Sequence, residues 1–558
     1  MSLDALTVSG IAALVALTVA VIGLAVLYVR SRRSIVFDAW VDFAKDEGEG
    51  DRGKSLADLL LYDIREIQNA HQRSGRELDL KNPYDDIPAF QQELDSELKA
   101  AVELQRESRF VGPVVALLMA LIPTRPARLR GSIHGFGDEI RVNVVLEQAR
   151  GSSRVGGVPQ WTGSAKSSEK LPDVIEDLAY EIYLALAQSA VFVNPKAFRC
   201  YTEALSSHLA FGTKHEAAER EGAEGLYDEA LELEPRNPAA LYNLGVLHYY
   251  LFLPDRNQKA EQCFRAAMAA AHGPLRAQIH SGLANVYSTA FHRFKSGEPT
   301  DLRAAIYHAE EALRLHDGLD VVLKAAAYAH HQSGEEEQRA ARDASGDSER
   351  TRASRKAAEH CDKAVTYYRR AITVNPRYFT AHNNLGNLFL ELAKTTADER
   401  TRRELLQSAV ALFKDAMTIR PSYHHAYDNL GNAYYELALL GDDYLFGHAA
   451  RYYRDAFALE TGYAEAMNDL AMLYLTPKWT DNDPDEAQRI HREAMANAPD
   501  EKRRIELKKA FDGRQESVAS GGAKPLPAGP DAGRLARRAR RWRHRDRLLA
   551  SLRPARHV

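Results

Sequence analysis

Cysteine is scarce: the 558 residues hold three, Cys200, Cys263 and Cys361. An odd number of widely separated cysteines excludes a disulfide framework and the closely spaced ligand sets of structural zinc, and favours a reducing compartment. Each sits inside a helical pattern, where a free cysteine usually serves as a small buried apolar residue. Catalytic signatures are missing too. There is no GxSxG elbow and no dinucleotide fingerprint, and "HEAAE" from His215 lacks the second histidine of a zinc-binding helix. His424 and His425 are adjacent, and adjacent residues do not share a helix face. No enzymatic activity, cofactor or metal is therefore expected.

Charge of a single sign is also lacking. The formal net charge is −4, but the last 25 residues hold ten Arg and one Asp, so the tail is +9 and the remainder −13. This excludes a uniformly basic nucleic-acid binder and leaves only the tail with the sign for polyanions. At 45% apolar and 27% charged residues, the composition is that of a globular chain with room for several domains.

Long uncharged runs are rare, with one exception. Residues 6–29, "LTVSGIAALVALTVAVIGLAVLYV", carry no charge, and as a helix would outreach a hydrocarbon core of about 30 Å. Asp4 precedes the run and Arg30, Arg32 and Arg33 follow it. The expectation is an uncleaved single-pass anchor in a bacterial inner membrane, with the C-terminal bulk in the cytoplasm. Ala12, Ala16 and Ala20 form a small-residue stripe that would let two anchors pair into a homo-oligomer. A second apolar run, residues 110–123, is too short to span and contains Pro113.

Between anchor and residue 194 the pattern is mixed. "SIVFDAWVDF" reads as a strand and "SLADLLLYDIREIQNAH" as a helix; "ARLRGSIHGFGDEIRVNVVLEQ" reads as a hairpin, "QWTGSAK" as a strand and residues 171–189 as a helix. This order, with Gly131, Gly137, Asp138, Arg141 and Trp161, resembles the N-terminal domain of TolB-like proteins. The resemblance implies a small α/β domain and no particular chemistry.

"GEGDRGKS", residues 48–55, matches the phosphate-loop pattern GxxxxGKS between a predicted strand and a predicted helix, which makes Lys54 and Ser55 nucleotide candidates. Asp46, Glu47, Glu49 and Asp51 crowd the place a triphosphate would occupy, and like charges oppose it. The competing reading is an acidic turn whose Ser55 caps the helix, with Asp58 completing a capping-box-like arrangement.

The strongest signal is repetition. "NNLGNLFLELA" from Asn383 and "DNLGNAYYELA" from Asp428 lie 45 residues apart. Each such helix is followed by one bearing Ala, a large residue four on and Ala three further, such as Ala364, Tyr368, Ala371; Ala409, Phe413, Ala416; and Ala449, Tyr453, Ala456. The pattern recurs seven times and is identified as a tetratricopeptide repeat (TPR) array over residues 195–512. Small residues let helices approach, the large one fills the gap, and Pro ends the second helix. Against the usual 34-residue period, repeats two to seven carry 3, 9, 25, 11, 6 and 4 extra residues in the turn between their helices. The longest insertion includes residues 335–354, and such turns would form a decorated rim with docking capacity.

The expected fold class is mainly α: an α-α superhelix (TPR solenoid) preceded by a small α/β domain and a single transmembrane helix. The expected domains are 1–33 anchor, 34–194 α/β, 195–512 solenoid, 513–533 flexible linker and 534–558 Arg-rich tail.

The first-helix face offers Asn285, Asn387 and Asn432 at one register, Asn383 and Asp428 one turn earlier, and Tyr242, Tyr249 and Tyr435 nearby. Amides donate and accept, so a ladder of them can pair with an extended peptide, or instead satisfy local helix packing. Tyr242, Ser281, Asn383, Asp428 and Asn468 occupy the register where relatives that clamp a C-terminal dicarboxylate carry Lys, which speaks against such a clamp. In the tail, Leu535, Trp542 and Leu549 recur every seven residues among arginines including Arg537, Arg538, Arg541 and Arg545. As a helix this stripe suits an anionic membrane surface, ahead of nucleic acid. The leading reading is a membrane-anchored scaffold or sensor-adaptor that binds proteins or peptides. The alternatives are a nucleotide-responsive signalling protein using Lys54 and Ser55, and a nucleic-acid-binding regulator using the tail.

Overall fold

A computed structural model describes residues 34–37, 40–42, 52–77, 89–91, 127–136, 139–147, 159–186, 191–214, 216–251, 254–292, 299–498 and 501–519. They fall into two compact units, one running to Leu247 and one beginning at His248.

In the first unit, strands β1 (Ser34–Phe37), β2 (Val41–Asp42), β3 (Ala89–Gln91), β4 (Ala127–Phe136), β5 (Glu139–Glu147) and β6 (Gln160–Ala165) form a mixed sheet in the order β3-β1-β4-β5-β6, with β2 also on β4. β1 is parallel to both neighbours, while β4, β5 and β6 are antiparallel. The period-two pattern sets the register: Leu129 faces Leu146 and Ile133 faces Val142, all buried on one side. Gly131 lies between them in sequence, and a Cβ there would come within 2.2 Å of the Trp40 ring, so only glycine admits that indole. Helices α1 (Arg52–Glu77) and α2 (Leu171–Leu186) pack together and bury Leu60, Ile64, Ile175 and Ile182. α1 begins at Arg52, three residues before the expected cap, so Ser55 lies inside its first turn. The helix pair α3 (Pro195–Lys214) and α4 (Ala217–Leu233) follows, then α5 (Pro238–Tyr249).

The second unit is a succession of antiparallel helix pairs: α6 (Pro254–Met268), α7 (Gly273–His292) with α8 (Pro299–Leu315), α9 (Asp320–Asp343) with α10 (Asp347–Val374), α11 (Phe379–Lys394) with α12 (Glu399–Ile419), α13 (His424–Leu439) with α14 (Leu445–Leu459), and α15 (Ala464–Tyr474) with α16 (Pro484–Asn497). This is a TPR-like arrangement, and the repeated small and large residues explain it. The Ala-large-Ala sets are buried, apart from the half-buried His491 of the last, with Tyr368, Phe413 and Tyr453 at the centres of three. A Cβ on Gly386 would meet the Phe413 ring at 2.5 Å, and one on Gly431 the Tyr453 ring at 2.6 Å. Each ring thus lies directly on the backbone of the facing helix. Burying a phenylalanine there contributes about 1.5–3 kcal/mol. α10 and α12 stop just before Pro376 and Pro421, and α12 starts under the side chain of Asp398, which accepts from Thr401 N at 3.0 Å.

In the fourth and fifth repeats the inserted residues are mostly helical. In the fourth repeat α9 and α10 are lengthened toward each other, leaving a short connection at 344–346, and Lys356 Nζ pairs with Glu337 at 2.8 Å across the extended pair. In the fifth the extra length enters α12. A last helix, α17 (Glu501–Ala519), packs on α15 and α16 and carries helical structure past residue 512, into the segment expected to be linker.

The expected localisation is corrected: no helix among the described residues is long and apolar enough to cross a membrane. The run at 6–29 that carried the expectation, with its alanine stripe, lies outside the described residues. So do residues 110–123, Gly137, Asp138 and the tail with Arg537, Arg538, Arg541, Trp542 and Arg545.

Candidate functional site

Three successive first helices, α11, α13 and α15, present the same register to one cavity of about 390 Å³, and α17 forms its remaining wall. From the register of Asn383 come Asn383, Asp428 and Asn468; one residue on come Asn429 and Asp469; one turn on come Asn387 and Met472. Tyr423, His425, Tyr463 and Glu465 enter from the helix starts, and Arg503, Glu506, Leu507 and Ala510 from α17.

The side chains are partly tied to one another. Asn429 Nδ2 donates to Asn383 Oδ1 at 3.0 Å, joining two repeats, while Asn383 Nδ2 donates to Asn384 Oδ1 at 3.3 Å. Tyr463 donates its hydroxyl to Asp428 Oδ2 at 3.3 Å, so its oxygen accepts from His425 Nδ1, which lies 2.9 Å from it. Arg503 pairs with Glu465 at 3.0 Å and Glu506 at 2.9 Å. Two acceptors remain: Asp428 Oδ1 and Asn387 Oδ1 are buried without a hydrogen-bond partner.

Burial drives the electrostatics. The Asp428 carboxyl is pushed well above the ordinary carboxylate range by burial, then by the charges of Asp469 and Glu465. Asp469 is raised to about 6, again chiefly by burial, against the hydrogen bond from Asn432 and the charge of Lys394. A cavity that raises two carboxyls favours neutral acids or an added positive charge.

The remaining sequence candidates lie elsewhere or are engaged. Asn432 donates to Asp469 Oδ2 at 3.1 Å and accepts from the Tyr453 hydroxyl at 3.0 Å, so both ends of its amide serve packing. Tyr435 accepts from Arg514 of α17 at 2.6 Å, beneath the guanidinium. Asn285 sits on α7 outside this cavity with its Oδ1 buried and unpartnered. The Tyr249 hydroxyl lies 3.2 Å from Thr289 Oγ1, and Tyr242 is buried on α5 in the first unit. Lys54 and Ser55 are exposed in the first turn of α1.

Sequence reasoning missed Tyr423, His425, Tyr463, Glu465, Asp469 and all of α17. The signal for α17 was available: Leu507 and Phe511 recur at helical spacing after Pro499. Phe511 stacks on His491 at 4.0 Å, and His491 Nδ1 lies 2.8 Å from Asn468 Oδ1, so the helix docks on the large-residue position of the last repeat.

Two further polar features stand apart. His280 and His308, and likewise His330 and His360, meet Nδ1 to Nδ1 at 2.9 Å. In the first unit a cavity of about 690 Å³ is lined by Asp63, Glu66, Arg73, Glu176, Tyr180 and Glu203 among others, with Asp63 raised to about 6 by burial and the neighbouring Glu176 and Glu66. Among the described residues, no group of three or more His, Cys, Asp or Glu side chains is placed to hold a metal.

No protein-family model and no curated protein matches the chain. Similar solved structures include a TPR protein of Thermus thermophilus, at 19% identity over 42% of this chain and 98% of that one, with a TM-score of 0.31. The TPR2AB domain of yeast Sti1 in complex with pHSP90 is 15% identical over 53% and 98%, with a TM-score of 0.21. The human IFIT1 dimer with m7Gppp-AAAA is 13% identical over 80% and 100%, with a TM-score of 0.33. The repeat assignment rests on the packing described above rather than on these likenesses.

Proposed function

We propose that this chain is a protein-interaction scaffold that holds an extended segment of a partner on the first-helix face of α11, α13 and α15. The observation that carries the reading is the cavity itself: side chains of one register from three consecutive repeats converge on it, and two of their acceptors are left without partners. Stacked repeats create such shared surfaces, and amides spaced along them suit the alternating donors and acceptors of an extended backbone. No catalytic step is proposed. The order of strand, helix, hairpin, strand and helix in the first unit supports treating residues 34–194 as a TolB-like module, with no chemistry attached.

The test is selection of phage-displayed random peptides on the full chain and on Asn387→Trp, whose indole would fill the cavity. Enrichment on the parent that disappears with the variant is the expected result. Equal enrichment on both would place peptide binding elsewhere and end this reading.

A further inference from the structure

The unoccupied hydrogen-bonding capacity of the cavity specifies a charge. We propose that the cavity between α11, α13, α15 and α17 receives the cationic side chain of a lysine or arginine in the bound partner segment, with Asp428 Oδ1 and Asn387 Oδ1 as its acceptors.

Four side-chain carboxylates line the cavity, Asp428, Glu465, Asp469 and Glu506, against one guanidinium, Arg503. Arg503 is held by Glu465 and Glu506, so the charges of Asp428 and Asp469 have no arginine or lysine of the lining paired to them at ion-pair distance. Asp428 is only 7% exposed, and its Oδ1 makes no hydrogen bond although its Oδ2 accepts from Tyr463. A buried acceptor without a donor is costly, and a buried carboxylate oxygen more so. Asn387 Oδ1 repeats the deficit one repeat away. The two buried, unpartnered side-chain atoms of the lining are both acceptors, and a group that only donates would satisfy them. An ammonium has three N–H donors and a guanidinium five, and neither accepts.

The lining excludes the other occupants. A carboxylate or phosphate would face the acidic groups just named. A divalent cation would need several oxygens gathered at about 2.0–2.6 Å, and among the described residues no group of three or more His, Cys, Asp or Glu side chains is placed to hold one. Tyr423 and Tyr463 add aromatic surface of the kind that attracts cations.

This inference rests on the reading that the first-helix face binds peptides, and one experiment separates the two. The full chain, Asp428→Asn, and a control with Glu349→Gln and Glu359→Gln are applied to an array of random octapeptides. A matched array carries glutamine wherever the first has lysine or arginine. The expected result is binding confined to lysine- or arginine-containing peptides, weakened at least about tenfold by Asp428→Asn and unchanged in the control. Binding that survives the glutamine replacement, or that is indifferent to Asp428→Asn, overturns the cationic occupant while leaving the peptide-binding face intact. An equal loss in the control assigns the binding to general acidity and also overturns it. No binding to either array overturns both.

Discussion

Asn429 of α13 donates its side-chain amide at 3.0 Å to Asn383 of α11, 46 residues earlier in the chain, directly joining two successive repeats. The repeated phrase is therefore more than a packing unit, because its first two residues are where neighbouring repeats are stitched on the first-helix face. The bond also consumes the Asn383 acceptor, which is why Asn387 and Asp428, not Asn383, carry the unmet capacity of the cavity.

Gly386 and Gly431 are packing glycines. Gly386→Ala and Gly431→Ala would push a methyl into the rings of Phe413 and Tyr453 and should each cost about 1–3 kcal/mol. Gly447, in the first turn of α14, meets nothing within 4 Å, so Gly447→Ala should be neutral or stabilise by up to about 0.5 kcal/mol. Urea denaturation of the three variants tests the contrast, and equal midpoints would refute it.

Asp469 should make stability fall as pH rises. Its folded-state pKa, about 6, exceeds the ordinary 3.8, so the folded chain holds the proton longer. The resulting stabilisation is complete below about pH 3.8 and is lost as pH rises through 6, at most about 3 kcal/mol. The facing charges are Asp428, Glu465, Arg503 and Lys394. Asp469→Asn keeps an acceptor for Asn432 and should flatten this part of the pH profile. Hydrogen exchange of α13 and α15 at pH 5 and 7 would show it, and an unchanged slope would contradict it.

The histidine pairs act in the opposite direction. His308 is lowered to about 4 from 6.5 by burial, by His280 and by Arg265, with Glu311 opposing. His280 also feels Arg276 and Arg314. A lowered histidine stabilises fully above about 6.5, and that contribution is lost as pH falls through 4. A 2.9 Å contact between two Nδ1 atoms also needs one neutral ring to accept. Acid loosening of α7 and α8, followed by exchange between pH 6.5 and 4, should be weaker in His308→Asn.

Phe511→Ala should release α17. Phe511 is buried against His491, and among the described residues α17 packs chiefly on α15 and α16, so its loss need not spread. Exchange protection of α17 should collapse while α11 and α12 keep theirs. Uniform loss across all three would show that the helix is integral to the repeats.

Much of this architecture was legible before any coordinates. The hairpin β4–β5 followed from period-two alternation, and the helix pairs from the spacing of Ala223, Tyr227, Ala230 and their counterparts, buried except for the half-buried His491. These signals are local: periodicity reports which face of an element is apolar. The inserted lengths were visible as numbers but not as helix, because charged segments such as 335–354 suit an exposed helix and a loop alike, and ion pairs such as Lys356 with Glu337 form only once α9 and α10 lie side by side.

By itself the sequence determined the repeat unit, its glycine and aromatic positions, and the register that puts Asn383, Asp428 and Asn468 in line, since these depend on spacing along a helix. Only the tertiary structure decided which amides are spent and which remain open. It tied Asn432 to Asp469 and Tyr453, covered Tyr435 with Arg514, and left Asp428 Oδ1 and Asn387 Oδ1 unmatched in an acidic cavity closed by α17. A hydrogen bond between residues tens of positions apart depends on how neighbouring repeats and the last helix dock, and the spacing within any one repeat does not specify that docking.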